Sequence, residues 1–356
     1  LEAVHSATLK LRGSYALAVI SSTDPNKIVV TKKDSPLMLA LSPETGEYMA
    51  ASDVSAALEL TRNFITLGEG EFAELTEKGV KVFSPDLKQI EPKMLYVDWD
   101  PAMAEKGGYD TFMLKEIHEQ PLTIVDTLRG KIVADEGKVY LGELDGLDMD
   151  KIERILLLGC GTSWHSSLLG KLFIEKYSHI PVEVDVASEF NHRELPLKNV
   201  LAICISQSGE TADTKAALRA AKARGATTAA ICNVVGSAIA SEADYVIYTH
   251  AGPEISVAST KAFTSQTLTL FILALWLGDK RKVIDNKFIS AKLLDLLRIP
   301  DKITTVLDNK EEINKIASHY KDKHHFLYIG RNFSSPIALE GALKLKEISY
   351  IHAEGY

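Results

Sequence analysis

One segment constrains the fold more than any other. The unbroken apolar run Val200-Leu-Ala-Ile-Cys-Ile205 passes directly into Ser206-Gln-Ser-Gly-Glu-Thr211, and then into Ala212-Asp-Thr-Lys-Ala-Ala-Leu-Arg-Ala-Ala-Lys222. An apolar run without polar alternation is the mark of a strand buried on both faces, the usual state in a parallel sheet. The Ala/Lys/Arg-rich stretch after it is a strong helix former. The hexapeptide therefore occupies the turn between a strand's carboxyl end and a helix N-terminus, where unpaired N–H groups and the helix dipole attract anions. The turn holds no Lys or Arg. Hydroxyls and backbone amides suit a phosphate monoester that must be both held and released. A helix cap by Ser208 or Thr211 is the plainer alternative. A cap uses one hydroxyl, whereas this turn supplies three and an amide.

The same strand–helix alternation runs from about residue 151. Ile155–Leu158, Val182–Val186, Val200–Ile205, Thr227–Cys232 and Tyr245–Tyr248 are expected strands, with helices starting near Ser163, Ser188 and Thr211. This pattern predicts a doubly wound α/β domain whose ligand lies outside the carboxyl ends of its strands. A long apolar helix over Thr260–Trp276 and helices at about 287–298 and 300–318 follow. His325-Phe-Leu-Tyr-Ile-Gly330 then repeats the strand that ends at Gly159. At a constant offset of 171 residues, Gly330 falls on Gly159, Ser334 on Ser163, Gly341 on Gly170 and Leu343 on Leu172. That pattern suggests an internal duplication, with the second copy reaching only its first helix.

The first 90 residues differ in kind. Seven short strand-like runs between Tyr15 and Phe83, punctuated by Gly, Pro, Asn and Asp, predict an antiparallel sandwich with a short capped helix near Ala56–Leu60. Between the two parts, an acidic lead-in precedes two expected helices, Thr111–Gln120 and Pro121–Leu128. The net charge of −8, without a basic stripe, argues against nucleic acid as a partner. The longest apolar candidate, Phe271–Leu277, is far too short for a membrane span. Cys160, Cys204 and Cys232 sit in or beside apolar runs without metal-type spacing, so no metal and no disulfide is expected, and the expected compartment is the reducing cytoplasm.

Three further constellations could carry chemistry. Gly159-Cys-Gly-Thr-Ser163 follows the first strand of the α/β part. It lacks the third glycine of a dinucleotide fingerprint and the lysine of a P-loop. With no basic neighbour to ionise it, Cys160 is better read as a lining residue than as a nucleophile. Glu254-Ile-Ser-Val-Ala-Ser-Thr-Lys261 precedes the long apolar helix, which Ser259 or Thr260 could cap. Lys261 either neutralises a phosphate or faces solvent. Glu340, Lys344 and Glu347 share one helix face at i, i+4 and i+7. An exposed ion-pair face accounts for that spacing. The apolar flanks point instead to a cleft in which a carboxylate beside an ammonium could move protons on a sugar carbon.

At these residues the chain resembles the glutamine–fructose-6-phosphate aminotransferase (isomerizing) family, also called glucosamine-6-phosphate synthases. Leu11-Arg-Gly-Ser-Tyr-Ala16, Ser35-Pro-Leu37 and Ala51-Ser-Asp53 resemble the later part of its N-terminal-nucleophile glutaminase domain. Gly159–Ser163, Ser206–Asp213 and Ala258-Ser-Thr-Lys-Ala-Phe263 resemble its first sugar isomerase (SIS) domain. Gly330-Arg-Asn and Ala338–Glu354 resemble the start of its second. The resemblance implies five segments. They are part of a type-2 glutamine amidotransferase domain (1–90), linker helices (91–145), a first SIS domain (146–285), connecting helices (286–318) and a truncated second SIS domain (319–356).

The resemblance also implies transfer of the glutamine amide nitrogen to fructose 6-phosphate, giving glucosamine 6-phosphate and glutamate. In the family, ammonia reaches the sugar through a channel; no cofactor is implied, and the parent is expected to be a homodimer. Carried over by motif, Thr162, Ser163, Ser206, Gln207, Ser208 and Thr211 would hold phosphate and sugar hydroxyls. Cys160, Gly161, Val257 and Ser259 would line the pocket. Glu347 would be the base between C1 and C2, with Lys344 assisting. The family's N-terminal cysteine nucleophile, its ring-opening histidine and its Schiff-base lysine have no counterpart in these 356 residues, and His352 does not match that histidine. The chain is thus expected to be an inactive fragment of an active parent. Two other readings are a non-enzymatic SIS sugar-phosphate sensor and a glutamine-independent sugar-phosphate isomerase or deaminase. The β-rich start argues against the first, and the second predicts no glutaminase segment.

Overall fold

The structure, a computed structural model, describes residues 1–97 and 105–356. The rest of the acidic lead-in, 98–104, lies outside the described residues. The chain divides into two compact units, Leu1–Gly107 and Gly108–Tyr356.

In the first unit a short helix α1 (Glu2–Thr8) precedes nine strands: β1 (Tyr15–Ser21), β2 (Asp24–Lys33), β3 (Met38–Leu41), β4 (Tyr48–Ala51), β5 (Asn63–Thr66), β6 (Phe72–Thr76), β7 (Gly79–Phe83), β8 (Gln89–Ile90) and β9 (Lys93–Tyr96). They form two antiparallel sheets, ordered β1-β2-β6-β7-β8 and β4-β3-β5-β9. Val30, Ala73, Leu75 and Val82 from one sheet and Leu39 and Ile65 from the other share a core, as in a sandwich. The short helix expected near Ala56 is a single 3₁₀ turn, Val54–Ala57.

The second unit opens with α2 (Phe112–Leu128) and the hairpin β10 (Ile132–Val133) and β11 (Lys138–Val139). The stretch 91–145, expected to be helical, thus also carries β9 and this hairpin. The two helices expected around Pro121 are one. Proline cannot donate to the carbonyl four residues back. That carbonyl, of Ile117, instead accepts the Gln120 side-chain amide at 3.0 Å, which keeps the helix intact.

The α/β body follows as β12 (Arg154–Gly159), α3 (Thr162–Ser178), β13 (Val182–Val186), α4 (Ala187–Phe190), β14 (Val200–Ser206), α5 (Ala212–Ala223), β15 (Thr227–Cys232), α6 (Ala238–Glu242) and β16 (Tyr245–Tyr248). The helix expected near Ser188 is only this one-turn α4. The five strands are all parallel, in the order β13-β12-β14-β15-β16. Alternation along β14 explains its apolar run. Leu201, Ile203 and Ile205 enter one core, with residues of α7 (Lys261–Lys280), and Ala202 and Cys204 enter the other, with Ala217 and Leu218 of α5. Among the described residues no helix is long and apolar enough to cross a membrane.

Helices α8 (Asn286–Leu296), α9 (Ile299–Asp308) and α10 (Lys310–Tyr320) come next. The single helix expected over 300–318 is broken at Asn309, whose side chain donates to the Thr305 carbonyl at 3.0 Å and competes with the backbone ladder. The last elements are β17 (His325–Tyr328), α11 (Ser334–Ser349) and β18 (His352–Gly355). The second copy therefore continues past its first helix into a second strand, parallel to β17.

The duplication holds at backbone level. The helices α3 and α11 end on left-handed residues, His179 and Tyr350, both at φ 57° and 171 residues apart. A Cβ on Gly159 would press on Ser163, and one on Gly330 on Ser334. A Cβ on Gly170 would meet Leu157, and one on Gly341 would meet Tyr328. Each pair keeps the same offset, so the same close approaches of strand, turn and helix recur in both copies.

Candidate active site

The strand order places a topological switch point between β12 and β14. The chain leaves β12 for β13 on one side and returns to β14 on the other. Their following turns therefore diverge and leave a crevice at the carboxyl ends, the usual ligand position in such sheets. Gly159–Ser163 and Ser206–Thr211 are these two turns. The first turn also touches the helix that follows the second, since the Cys160 sulfur lies 4.0 Å from Thr214 Oγ1 on α5.

The second turn is internally braced. Ser206, buried, accepts from the Gly209 amide at 3.0 Å and lies 3.1 Å from the Thr211 hydroxyl. Ser208 Oγ accepts from the Glu210 amide at 3.1 Å. Thr211 is the N-cap of α5, yet its side chain makes no capping hydrogen bond, and Ser208 bonds the Glu210 amide instead. Neither Ser208 nor Thr211 therefore takes up a first-turn amide of α5. Gln207 and Ser208 are half-buried and Thr211 is exposed. The one acidic side chain of the turn is drawn aside, with Glu210 Oε1 accepting from the Ala238 amide at 2.7 Å. The crevice thus keeps hydroxyls and a helix dipole with Glu210 turned away, although Asp213 stands in the first turn of α5.

The first turn is more committed to protein partners. Gly161, at φ 52°, starts α3 without a side-chain cap. The buried Ser163 accepts from Gln266 Nε2 at 3.0 Å, while the Thr162 hydroxyl donates to Glu340 at 2.8 Å and accepts from Lys344 Nζ at 3.1 Å. Helix α11 therefore lies over this turn, and Leu343 reaches Gly161 closely enough to touch a Cβ there at 3.9 Å.

Glu340 is the hub that draws the two copies together. It is 6% exposed and also receives His165 Nδ1 at 2.7 Å and Lys344 Nζ at 3.3 Å. Burial alone would raise its pKa; the hydrogen bond from His165, the Lys344 charge and the Thr162 hydroxyl outweigh it and hold the carboxyl below its usual range. Lys344 in turn reaches Glu347 at 2.6 Å, and Glu347 is partly open to solvent. The stripe is therefore an ion-pair row buried at one end and accessible at the other.

The third loop, between β16 and α7, carries Val257 fully exposed at its tip, while Ser259 Oγ donates to Glu254 at 2.8 Å. Neither Ser259 nor Thr260 caps α7. Glu254 does so, accepting the Thr260 and Ala262 amides at 2.8 and 3.1 Å. Lys261 neither faces solvent nor reaches into the crevice; it is buried and paired with Glu119 at 2.7 Å. The sequence reading missed Glu340 as a hub, along with His165, Gln266, Glu116 and Glu254. All but Glu254, whose partners lie five to eight residues on, act on residues far along the chain.

A family model described as the SIS domain matches residues 148–275. Over its full length the chain is 46% identical to the glutamine–fructose-6-phosphate aminotransferase [isomerizing] of Clostridium acetobutylicum, covering 59% of that protein. It is also 46% identical over 357 residues, 99% of the chain, to the protein of the same name from Chlorobaculum tepidum, covering 58% of it. The chain thus spans somewhat under three fifths of the length of the curated relatives it matches. Among solved structures it is similar to the C-terminal domain of glucosamine-fructose-6-phosphate aminotransferase from Francisella tularensis. That likeness has 39% identity and a TM-score of 0.67, with 71% of each chain covered. With a parallel sheet, its hydroxyl-lined switch point and the start of a second copy all in place, the chain belongs to the glutamine–fructose-6-phosphate aminotransferase family.

Proposed function

We propose that this chain forms the fructose 6-phosphate cradle of a glutamine-dependent aminotransferase and ketose–aldose isomerase. The parent would make glucosamine 6-phosphate and glutamate from fructose 6-phosphate and glutamine. The observation that carries this reading is the pair of hydroxyl-bearing turns at the switch point, one ending in an uncapped helix N-terminus and the other roofed by Lys344 and Glu347. The phosphate would sit against Ser206, Gln207, Ser208, Thr211 and the first-turn amides of α5. Thr162 and Ser163 would face the sugar from the neighbouring turn, beside Cys160 and Gly161, with Val257 and Ser259 approaching from the third loop. Glu347 would take a proton from C1 and return it to C2, passing the sugar between ketose and aldose forms. Lys344, held between Glu340 and Glu347 at 3.3 and 2.6 Å, would assist by orienting the Glu347 carboxylate. The parent would act as a homodimer in the cytoplasm. The free thiols of Cys160, Cys204 and Cys232 suit that reducing setting.

Ser208→Ala tests the phosphate assignment. A hydrogen bond to a charged group contributes about 1.5–3 kcal/mol, so fructose 6-phosphate affinity should fall at least about tenfold by titration calorimetry. Because Ser208 does not cap α5, thermal stability should change by less than about 1 kcal/mol. An unchanged affinity would remove Ser208 from the site.

A further inference from the structure

The loop that carries Val257 and Ser259 is held at one end by its own Glu254 and at the other by a side chain from another element. Glu116 on α2 reaches it with Oε1, which accepts from the Ile255 amide at 2.6 Å and the Ser256 amide at 3.1 Å. Two successive N–H groups turned to one point make an anion-binding nest, and here the anion is the protein's own carboxylate. Further along α2, Glu119 pairs with Lys261 at 2.7 Å and Gln120 accepts from Thr264 Oγ1 at 2.5 Å. Positions 116, 119 and 120 share one helix face, so α2 grips both the start of the loop and its exit into α7.

Glu116 is poorly explained as a stabilising residue. It is 2% exposed, and its second carboxylate oxygen is buried without a hydrogen-bond partner among the described residues. Burial pushes its pKa up, the two amides oppose this, and Glu254 and Lys261 act nearby with opposite signs. A half-satisfied buried carboxylate is unfavourable unless it fixes something that matters. What it fixes is the Ile255–Ser256 end of the loop, next to the tip residue Val257, which is 99% exposed; the other end, Ser259 and Thr260, is held by Glu254.

We propose that Glu116 is a positioning residue for sugar binding, which sets the loop bearing Val257 and Ser259 by holding the amides of Ile255 and Ser256. This rests on the reading that the loop borders the sugar site. Two variants of the 356-residue chain separate the parts. Glu116→Met keeps the length of the side chain and removes the acceptor; Glu116→Gln keeps one acceptor oxygen without the charge. Amide hydrogen exchange at Ile255 and Ser256 should speed up at least about tenfold in Glu116→Met, with exchange in β14 and α5 unchanged. Fructose 6-phosphate affinity should fall about tenfold in the same protein, and Glu116→Gln should be intermediate in both.

Unchanged exchange at the two amides would overturn the clamp. Faster exchange with unchanged sugar affinity would overturn its role in binding. A wild-type chain that takes up no fructose 6-phosphate would sink the functional reading and the sugar half of this proposal, while exchange would still decide the clamp. If Glu116→Met does not fold, Glu116→Gln decides the proposal by the same two readouts.

Discussion

Glu340→Ala should destabilise the α/β unit by about 3 kcal/mol in denaturant unfolding, the scale of an ion-pair network broken at one partner. The substitution removes the acceptor for three donors at once. Thr162 and His165 lose their acceptor, and Lys344, largely buried, keeps Glu347 and the Thr162 hydroxyl. Glu340→Gln retains acceptor capacity and should lose less. The pH dependence carries a sign. Because the folded carboxyl lies below its ordinary value, its stabilising contribution is complete above that value, about 4.3. It is lost as pH falls through the lowered folded value. The stability gap between wild type and Glu340→Gln should therefore narrow as pH falls below about 4.3. A Glu340→Ala protein within about 0.5 kcal/mol of wild type would mean that the hub does not hold the two copies together.

Gly209→Ala should be nearly as disruptive, by a different route. Gly209 sits at φ 67°, where a Cβ costs about 1–2 kcal/mol. That Cβ would also stand 2.0 Å from Ser237 Oγ and 2.5 Å from Ser237 Cβ, inside the start of α6. Overpacking of that kind adds about 1–3 kcal/mol. The combined loss should be about 3 kcal/mol, with sugar-phosphate affinity reduced more than tenfold as the hexapeptide shifts. Gly225→Ala is the control, at φ 92° with no atom within 4 Å of the new Cβ. It should show only the backbone penalty and leave affinity unchanged. Equal stability losses for the two variants would remove Ser237 from the explanation.

What the sequence revealed and what it hid follow from the range of the forces involved. The strands of the α/β body were legible because a strand buried on both faces has no polar alternation, as Val200–Ile205 has none. The hexapeptide was legible because strand, turn and helix are contiguous. The helix break at Asn309 was not, since it carries neither glycine nor proline, and neither was the continuity across Pro121, which depends on a side-chain amide one residue away. The site's supports were invisible for a stronger reason. Glu340 meets Thr162 and His165 across 178 and 175 residues, and Glu116 meets Ile255 across 139. No local spacing announces a carboxylate whose partners lie that far off. Lys261 was left open between phosphate and solvent because its partner, Glu119, is 142 residues earlier.

The 171-residue repeat also bears on how the chain is made. Two copies of one strand–helix–strand unit in a single polypeptide could pair with each other's strands, a known hazard of repeated modules. Synthesis at roughly 5–20 residues per second separates the emergence of the copies by about ten to thirty seconds. All five strands of the first sheet are made by Tyr248, 77 residues ahead of His325, which gives that sheet roughly 4–15 seconds to pair before β17 is made. Timing thus partitions the copies, and their contact is deferred to side chains such as Glu340, which can engage only once both are folded.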